Sequence, residues 1–503
     1  MSLKRNVVAN YIGQIYLAMI GIVMLPVHVR YLGTEAYGLV GFYAMLQAWF
    51  LLLDLGLTST LARELSRFRT GALARVQAAK TVRSLEWVFG VMGGGCALTL
   101  AIASGWIAAN WLKAQHLAED EMRMSVHYMG VIIGLRGWTG LYRGGLAGLE
   151  RLVPLNVAGM VLATLRSVGV LAVLIFWSAR PSVYFAYQLA VAVLELSVMG
   201  GMFYRAFPMR GAGPAPAWRS LSGIVRLSGG MAFLTCIWAV FSQTDKLVLS
   251  WVLSLKDYGL FTVAATLAGA ISLLAAPLSQ ALQPRFNLLA VQNREYELVT
   301  LYRTSTQLTC AIGFAVAGVL VGRAEPLLRA WTGNAELARE AARILPLYVL
   351  GNAVVAILSL AFMLQFALGK IRWQVIGNCL FGVIWIPGAY LAATRGGAVG
   401  TGWVWLIGNL LFLLCWLPYV HHRLLPKLGL RWLVNDVGAI LLTVLVGAFV
   451  ISRFGLTNSG RFGVFAEAAV MTGVLLLVGL CTGSETRKLL LDLCRRYVFL
   501  KSS

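Results

Sequence analysis

The sequence predicts an all-α, polytopic membrane protein of about fourteen transmembrane helices. Three observations lead there. Hydrophobic residues make up 59% of the 503 and charged residues only 12%, with a mean hydropathy of +0.77; a soluble domain carries about a quarter charged residues, so little charge cannot cover a soluble surface of this size. Apolar stretches of helix length recur along the whole chain, separated by short segments rich in charge, Gly or Pro. No connecting segment is much longer than about twenty residues.

The expected spans run roughly Asn6–Val29, Ala36–Leu61, Leu85–Leu112, Met124–Ala147, Pro154–Trp177, Val183–Tyr204, Leu227–Leu253, Tyr258–Leu282, Thr304–Val321, Ile344–Leu368, Trp373–Ala393, Gly400–Val420, Val437–Ile451 and Phe462–Leu480. The first is too long for a signal-peptide core, and no small-residue cleavage site precedes the next span, so it reads as a retained helix. Charge sets the orientation. Arg63, Arg67, Arg69, Arg75, Lys80 and Arg83 share one even-numbered loop; Arg205, Arg210, Arg219 and Arg226 share another; Arg423, Lys427 and Arg431 a third. The tail adds Arg487, Lys488, Arg495, Arg496 and Lys501, while the opposite side holds the acidic run Glu119, Asp120, Glu121. By the positive-inside rule both termini are cytoplasmic. A net charge of +22 would otherwise suggest nucleic acid; cations confined to segments flanking spans serve membrane orientation instead, and no nucleic-acid partner is expected.

The seven cysteines have no CxxC spacing and nearly all fall in apolar spans, where they act as small hydrophobes. Of the five histidines only His421 and His422 are close together, and no metal or other cofactor is expected.

An internal repeat organises the chain. Tyr31-Leu-Gly-Thr-Glu-Ala-Tyr37-Gly-Leu lies between spans one and two, and Val252-Leu-Ser-Leu-Lys-Asp-Tyr258-Gly-Leu lies between spans seven and eight. Each reads as a tight turn, an acidic residue, Tyr-Gly-Leu and a new helix. Six spans separate the copies, so the repeat is parallel, an arrangement in which a substrate cavity often lies between two rocking halves. The Pro- and Gly-rich segment Phe207 to Trp218 cannot span a membrane and reads as a cytoplasmic linker. The expected organisation is a six-helix lobe at 1–206, a linker at 207–226, a second six-helix lobe at 227–426, and two further helices with a basic tail at 427–503.

Three stretches resemble the polysaccharide flippases of the multidrug/oligosaccharidyl-lipid/polysaccharide exporter superfamily: Pro26-Val-His-Val-Arg30-Tyr-Leu-Gly33-Thr-Glu-Ala-Tyr37-Gly38, Asp54-Leu-Gly56-Leu-Thr-Ser-Thr-Leu-Ala-Arg63-Glu, and Gln243-Thr-Asp245-Lys246-Leu-Val-Leu followed by Tyr258-Gly259. The phrase Ala330-Trp331-Thr-Gly333 is similar as well. The resemblance covers nearly the whole chain. It implies an inner-membrane protein that moves undecaprenyl-diphosphate-linked oligosaccharide from the cytoplasmic to the periplasmic leaflet. It also implies work beside glycosyltransferases upstream and a polysaccharide polymerase or ligase downstream. Relatives export drugs, teichuronic acids or peptidoglycan precursors.

Charges inside the bilayer cost about 2.5–3.5 kcal/mol each, so each needs a partner or a wet cavity. Arg136 lies near the middle of span four, with Arg143 two turns later beyond Gly140; Arg166 and Glu195 lie near the middles of spans five and six. Asp54 lies about two turns from the inner end of span two. In one reading these side chains line a hydrated cavity in which arginines hold a diphosphate through their bidentate fork. In the other, Glu195 pairs internally, for example with Arg166, and Arg143 snorkels to the interface. Arg30 either marks the outer interface or, by the resemblance, contacts substrate. Asp245 and Lys246 point about 100° apart on a helix and serve either substrate or structural pairing. Glu467 has no partner legible in the sequence. Trp49, Trp138, Tyr142, Tyr187 and Trp238 read as lipid-facing or interfacial anchors before sugar-stacking platforms.

The leading expectation is a lipid-linked oligosaccharide flippase, not an enzyme. A cation-coupled drug exporter of the same superfamily would carry fewer cavity arginines and more carboxylates. A membrane glycosyltransferase or polymerase would need a sizeable extramembrane loop, which is missing. Gly93-Gly-Gly95 lacks the Lys-Ser/Thr of a phosphate-binding loop, so transport runs on an ion gradient or on substrate removal. Glu195, with Asp54 behind it, is the candidate ion-coupling carboxylate.

Overall fold

The computed structural model describes residues 3–54, 56–208, 237, 239–426, 428–452 and 460–492. Among them the regular structure is helical: α1 (Leu3–Leu32), α2 (Thr34–Leu51), α3 (Leu57–Arg69), α4 (Arg75–Trp106), α5 (Glu119–Gly148), α6 (Leu152–Thr164), α7 (Val170–Phe176), α8 (Pro181–Ala206), α9 (239–252), α10 (Leu255–Val291), α11 (Glu295–Gly322), α12 (Ala324–Thr332), α13 (Ala335–Ala367), α14 (Arg372–Leu411), α15 (Leu417–Leu424), α16 (Gly429–Trp432), α17 (Ala439–Ser452) and α18 (Arg461–Thr482). Ten helical stretches among the described residues are long and apolar enough to cross a membrane. One of them, Arg372–Leu424, is 53 residues long and holds the expected eleventh and twelfth spans. They separate at Gly397, whose φ of 56° and ψ of −142° break the helix.

Span two departs from expectation. In place of a continuous helix over Ala36–Leu61, α2 stops at Leu51, a short tight turn covers Leu52–Asp54, and α3 starts at Leu57. The cause is local. Gly56 adopts a left-handed conformation (φ 76°), and Asp54 Oδ1 takes both the backbone N–H of Thr58 (3.0 Å) and its hydroxyl (2.7 Å), which caps the new helix. α3 is then short and amphipathic, with Arg67 and Arg69 in its last turn, where cations suit the helix dipole.

The chain divides into two compact units, residues 1–259 and 260–503. The expected linker lies outside the described residues from position 209 on. α9 belongs to the first unit because Trp111 Nε1 donates to Ser250 Oγ (3.1 Å), Lys113 Nζ to the Val252 carbonyl (3.1 Å), and the Leu255 amide to the Lys113 carbonyl (2.9 Å). The two Tyr-Gly-Leu copies also meet there. A Cβ on Gly38 would strike the Leu255 carbonyl, and one on Gly259 would strike the Thr34 carbonyl. Each glycine thus lies against the carbonyl three residues before the tyrosine of the other copy, so the repeat needs glycine for backbone approach.

The core of unit 1 is the packing of α4, α5 and α8. Gly93 and Gly134 let the backbones of α4 and α5 touch, and Leu61, Leu65, Val82, Leu85, Leu141, Met199 and Phe203 fill the neighbouring space. In unit 2, α17 and α18 pack along α11, where Gly479 lies against Ala311 and Gly318 near Leu475.

Candidate functional site

The mid-span charges Arg136, Arg166 and Glu195 of unit 1 lie within electrostatic reach of Tyr43. Arg136 projects from α5; its Nη1 donates to Tyr43 Oη and to Gln47 Oε1 (3.3 Å), and its Nη2 to Gln188 Oε1 (3.4 Å). The guanidinium lies 5.5 Å from the Tyr43 ring centroid. All of these partners are neutral, and Arg136 Nε is buried with no partner among the described residues. Arg166, in the widened turn between α6 and α7, lies within electrostatic reach of Arg136, Glu195, Tyr43 and Tyr184. Among the described residues its guanidinium has no hydrogen-bond partner. Glu195 on α8 is 6% exposed, and its partner is Arg143, with Nη1 to Oε1 at 3.6 Å. This overturns the Glu195–Arg166 pairing weighed from sequence. Two turns separate Arg143 from Arg136 on α5, which brings it beside α8.

Arg136, Arg143 and Arg166 thus stand against Glu195 and, on the cavity that Arg136 lines, Asp54: three positive charges against two negative. Beside it lies a cavity of about 100 Å³ lined by Arg136, Gln47, Asp54, Thr58, Phe89 and Gly134, among others. It has room for several waters, which lets the guanidinium stay charged inside an apolar helix bundle. Asp54 faces this cavity with its Oδ1 engaged by Thr58.

The remaining sequence candidates lie apart from this cluster. Arg30 is exposed at the end of α1. On α9, Lys246 turns back to reach both Asp245 Oδ1 (3.3 Å) and the Ser242 carbonyl (2.7 Å), so the two adjacent charges neutralise one another; Asp245 is 3% exposed.

Several residues that build the site went unread in the sequence. Tyr43, Gln47 and Gln188 are polar groups in apolar helices, and the four-residue spacing of Tyr43 and Gln47 places both on one face of α2; that spacing was the available signal. Glu86 is another, a 5% exposed carboxylate that accepts from Tyr142 Oη (3.0 Å), Tyr204 Oη and Arg83 Nη1 (3.0 Å). Tyr142 is accordingly a buried donor, not a lipid-facing anchor. Glu467 does have a partner: Arg323 Nη2 donates to its Oε1 at 2.7 Å.

Residues 3–290 match the family model described as polysaccharide biosynthesis protein. The chain belongs to that family. A Shigella flexneri relative named as an O-antigen transporter is 22% identical over 425 residues, covering 83% of this chain and 98% of the relative. Among solved structures, the family member here is similar to the lipid II flippase MurJ in an inward closed conformation, with a TM-score of 0.72 and 12% identity over 94% of this chain and 97% of MurJ. It is also similar to an inward-facing multidrug resistance MATE transporter of the MOP superfamily, with a TM-score of 0.64 and 16% identity over 82% and 98%. Family and fold together make this polysaccharide biosynthesis protein a multi-pass membrane protein with the fold shared by MurJ and the MATE transporters.

Proposed function

We propose that the chain carries undecaprenyl-diphosphate-linked oligosaccharide from the cytoplasmic to the periplasmic leaflet of the inner membrane, by alternating access. The observation that carries this reading is the unsaturated arginine pair: among the described residues Arg136 has neutral partners and an unpartnered Nε, and the Arg166 guanidinium has no hydrogen bond. A diphosphate esterified at both ends bears two negative charges and many acceptor oxygens, and guanidinium forks meet such oxygens in pairs. A site in which three arginines outnumber two carboxylates suits that cargo and opposes a cationic drug. Arg30, Asp245 and Lys246 stand as further candidates along the substrate path.

Glu195 supplies a coupling step in this reading. Ionised, it holds Arg143 and draws on Arg166; a proton on its carboxylate frees both for the diphosphate, and loss of that proton favours release. Both termini and the segment 207–226 lie on the cytoplasmic side, where glycosyltransferases deliver the cargo, and a polymerase receives it on the other. Reporter fusions at Ala212 and Ser502 should be active as cytoplasmic reporters only; periplasmic activity at either overturns the orientation.

The functional test uses purified protein in liposomes loaded with undecaprenyl-diphosphate-linked glycan, with leaflet exposure read by an external lectin. Wild-type protein should expose the glycan and Arg166→Ala should not. Export of a cationic dye without glycan movement would instead establish the drug-exporter alternative.

A further inference from the structure

The helical turn that carries Arg166 is unusual. Between α6 and α7, residues Leu165–Gly169 form a π-helical turn, wider than its neighbours by one residue. Such a turn disturbs the i→i−4 ladder, and a carbonyl it frees needs a new donor if it is to remain in an apolar bundle. Three successive carbonyls here accept from side chains of other helices. Leu165 O accepts from Tyr187 Oη (2.9 Å), Arg166 O from Gln188 Nε2 (3.2 Å) and Ser167 O from His28 Nε2 (2.8 Å). Of the four π-helical turns among the described residues, at 107–111, 165–169, 412–416 and 433–438, this is the one capped in that way.

The caps are built in. His28 is 8% exposed and packs edge-on against Tyr184 at 6.0 Å. It follows Pro26, whose missing N–H interrupts the ladder of α1 just before the histidine. Gln188, 4% exposed, uses its other end to accept from Arg136, so one amide fixes both arginine-bearing helices. Gly169 leaves room for Tyr187: a Cβ there would collide with the Tyr187 hydroxyl.

We propose that His28, Tyr187 and Gln188 are positioning residues that hold the widened turn open and so aim the Arg166 guanidinium at the diphosphate. This rests on the reading of Arg166 as a cargo contact. A regular α-helical turn would shift every side chain after the insertion by about 100° around the axis, turning the Arg166 region away from Arg136. The caps remove the backbone penalty that would otherwise favour closing the turn.

The test is binding of undecaprenyl diphosphate to the purified full-length protein, with neutral undecaprenol as control and hydrogen exchange followed over residues 160–175. His28→Phe and Tyr187→Phe remove one cap each and touch no arginine side chain. Each should weaken diphosphate binding about tenfold, leave undecaprenol binding unchanged and speed exchange over the turn. His28→Gln, which keeps a donor of similar reach, should recover most of the affinity. Gly169→Ala gives a second route, since it displaces the Tyr187 hydroxyl without deleting it, and should reproduce Tyr187→Phe. Arg166→Ala should abolish the preference for diphosphate without speeding exchange. If the cap variants bind diphosphate as wild type does while Arg166→Ala fails, the positioning role is overturned and the reading of Arg166 stands. If Arg166→Ala binds normally, that reading falls, and the cargo role of the turn falls with it.

Discussion

Arg303 in unit 2 and Arg166 in unit 1 are both guanidinium groups on membrane-crossing helical segments, and their surroundings differ. Arg303 makes a two-pronged contact with Asp436, Nε to Oδ2 at 2.8 Å and Nη2 to Oδ1 at 2.9 Å, and its Nη1 reaches Glu485 at 3.2 Å. Gln307 donates to the same Asp436 and accepts the amides of Glu485 (2.8 Å) and Thr486 (3.0 Å). Asp436 is fully buried and every partner comes from the protein, so this network ties the end of α18 and the entry to α17 onto α11. Arg323 and Glu467 form a second ion pair in this unit, with Arg323 Nε left unpartnered among the described residues. In unit 1 the balance is left open: Arg136 has neutral hydrogen-bond partners, and Arg166, with no hydrogen bond to its guanidinium among the described residues, lies within electrostatic reach of Arg136 and Glu195. A saturated buried charge braces the fold, and an unsaturated one is a candidate ligand contact.

That contrast can be broken most decisively at Arg303. Arg303→Ala leaves Asp436 buried without its countercharge and should cost about 3–5 kcal/mol, seen as loss of monodisperse protein and a lower unfolding temperature. Replacing the pair together, Arg303→Met with Asp436→Leu, should recover most of that loss, because two apolar groups carry no desolvation cost. If Arg303→Ala is as stable as wild type, the bracing role is wrong.

The second test carries the opposite signature. Arg166→Ala and Arg136→Ala should leave abundance and unfolding temperature near wild type while lowering glycan flipping on the order of 10- to 100-fold, as loss of hydrogen bonds to a charged group implies. Lysine at either position should restore only part, since a point charge lacks the fork. Collapse of the protein in either alanine variant would erase the distinction between the two units.

Glu195→Gln sharpens the picture within unit 1. With an imposed pH gradient across liposomes, this variant should flip glycan at a rate that hardly responds to the gradient, whereas wild type responds. Undiminished coupling would remove Glu195 as the essential proton carrier and leave Asp54 next in line.

The smallest effect belongs to an exposed pair. Arg69 donates to Glu150 and holds its carboxyl below the ordinary value of 4.5. A depressed carboxylate pKa means that the pair's contribution is present above pH 4.5 and is lost as pH falls through the lowered value. Since both groups are open to solvent, Glu150→Gln should shift the unfolding temperature at pH 7 only slightly, and added salt should erase the difference. A salt-resistant loss would show that the pair is more than a surface contact.

The apolar spans were legible because lipid admits few polar residues, so composition alone marks most of α1, α4, α8, α11, α13 and α18. The break in span two was not, because it depends on one carboxylate capturing the Thr58 amide and hydroxyl and on the conformation of Gly56. Within the site, Arg136, Arg143, Arg166 and Glu195 stood out as charges in apolar stretches. Tyr43, Gln47 and Gln188, the neutral partners of Arg136, did not, since they carry no charge to flag them.

By itself, the sequence determined which segments are buried in lipid, that cationic groups lie at mid-span, and that the Tyr-Gly-Leu phrase recurs six spans apart. All of these follow from side-chain chemistry or the order of residues along the chain. Only the tertiary structure decided that Glu195 answers Arg143, that Glu467 answers Arg323 across 144 positions, and that three residues from two other helices cap the turn bearing Arg166. The reason is physical: a charge inside a bilayer requires a partner, but several arginines satisfy that requirement equally on paper. Which one does so is set by the rotation and approach of whole helices, and these depend on packing contacts such as Gly93 against Gly134 that no single segment encodes.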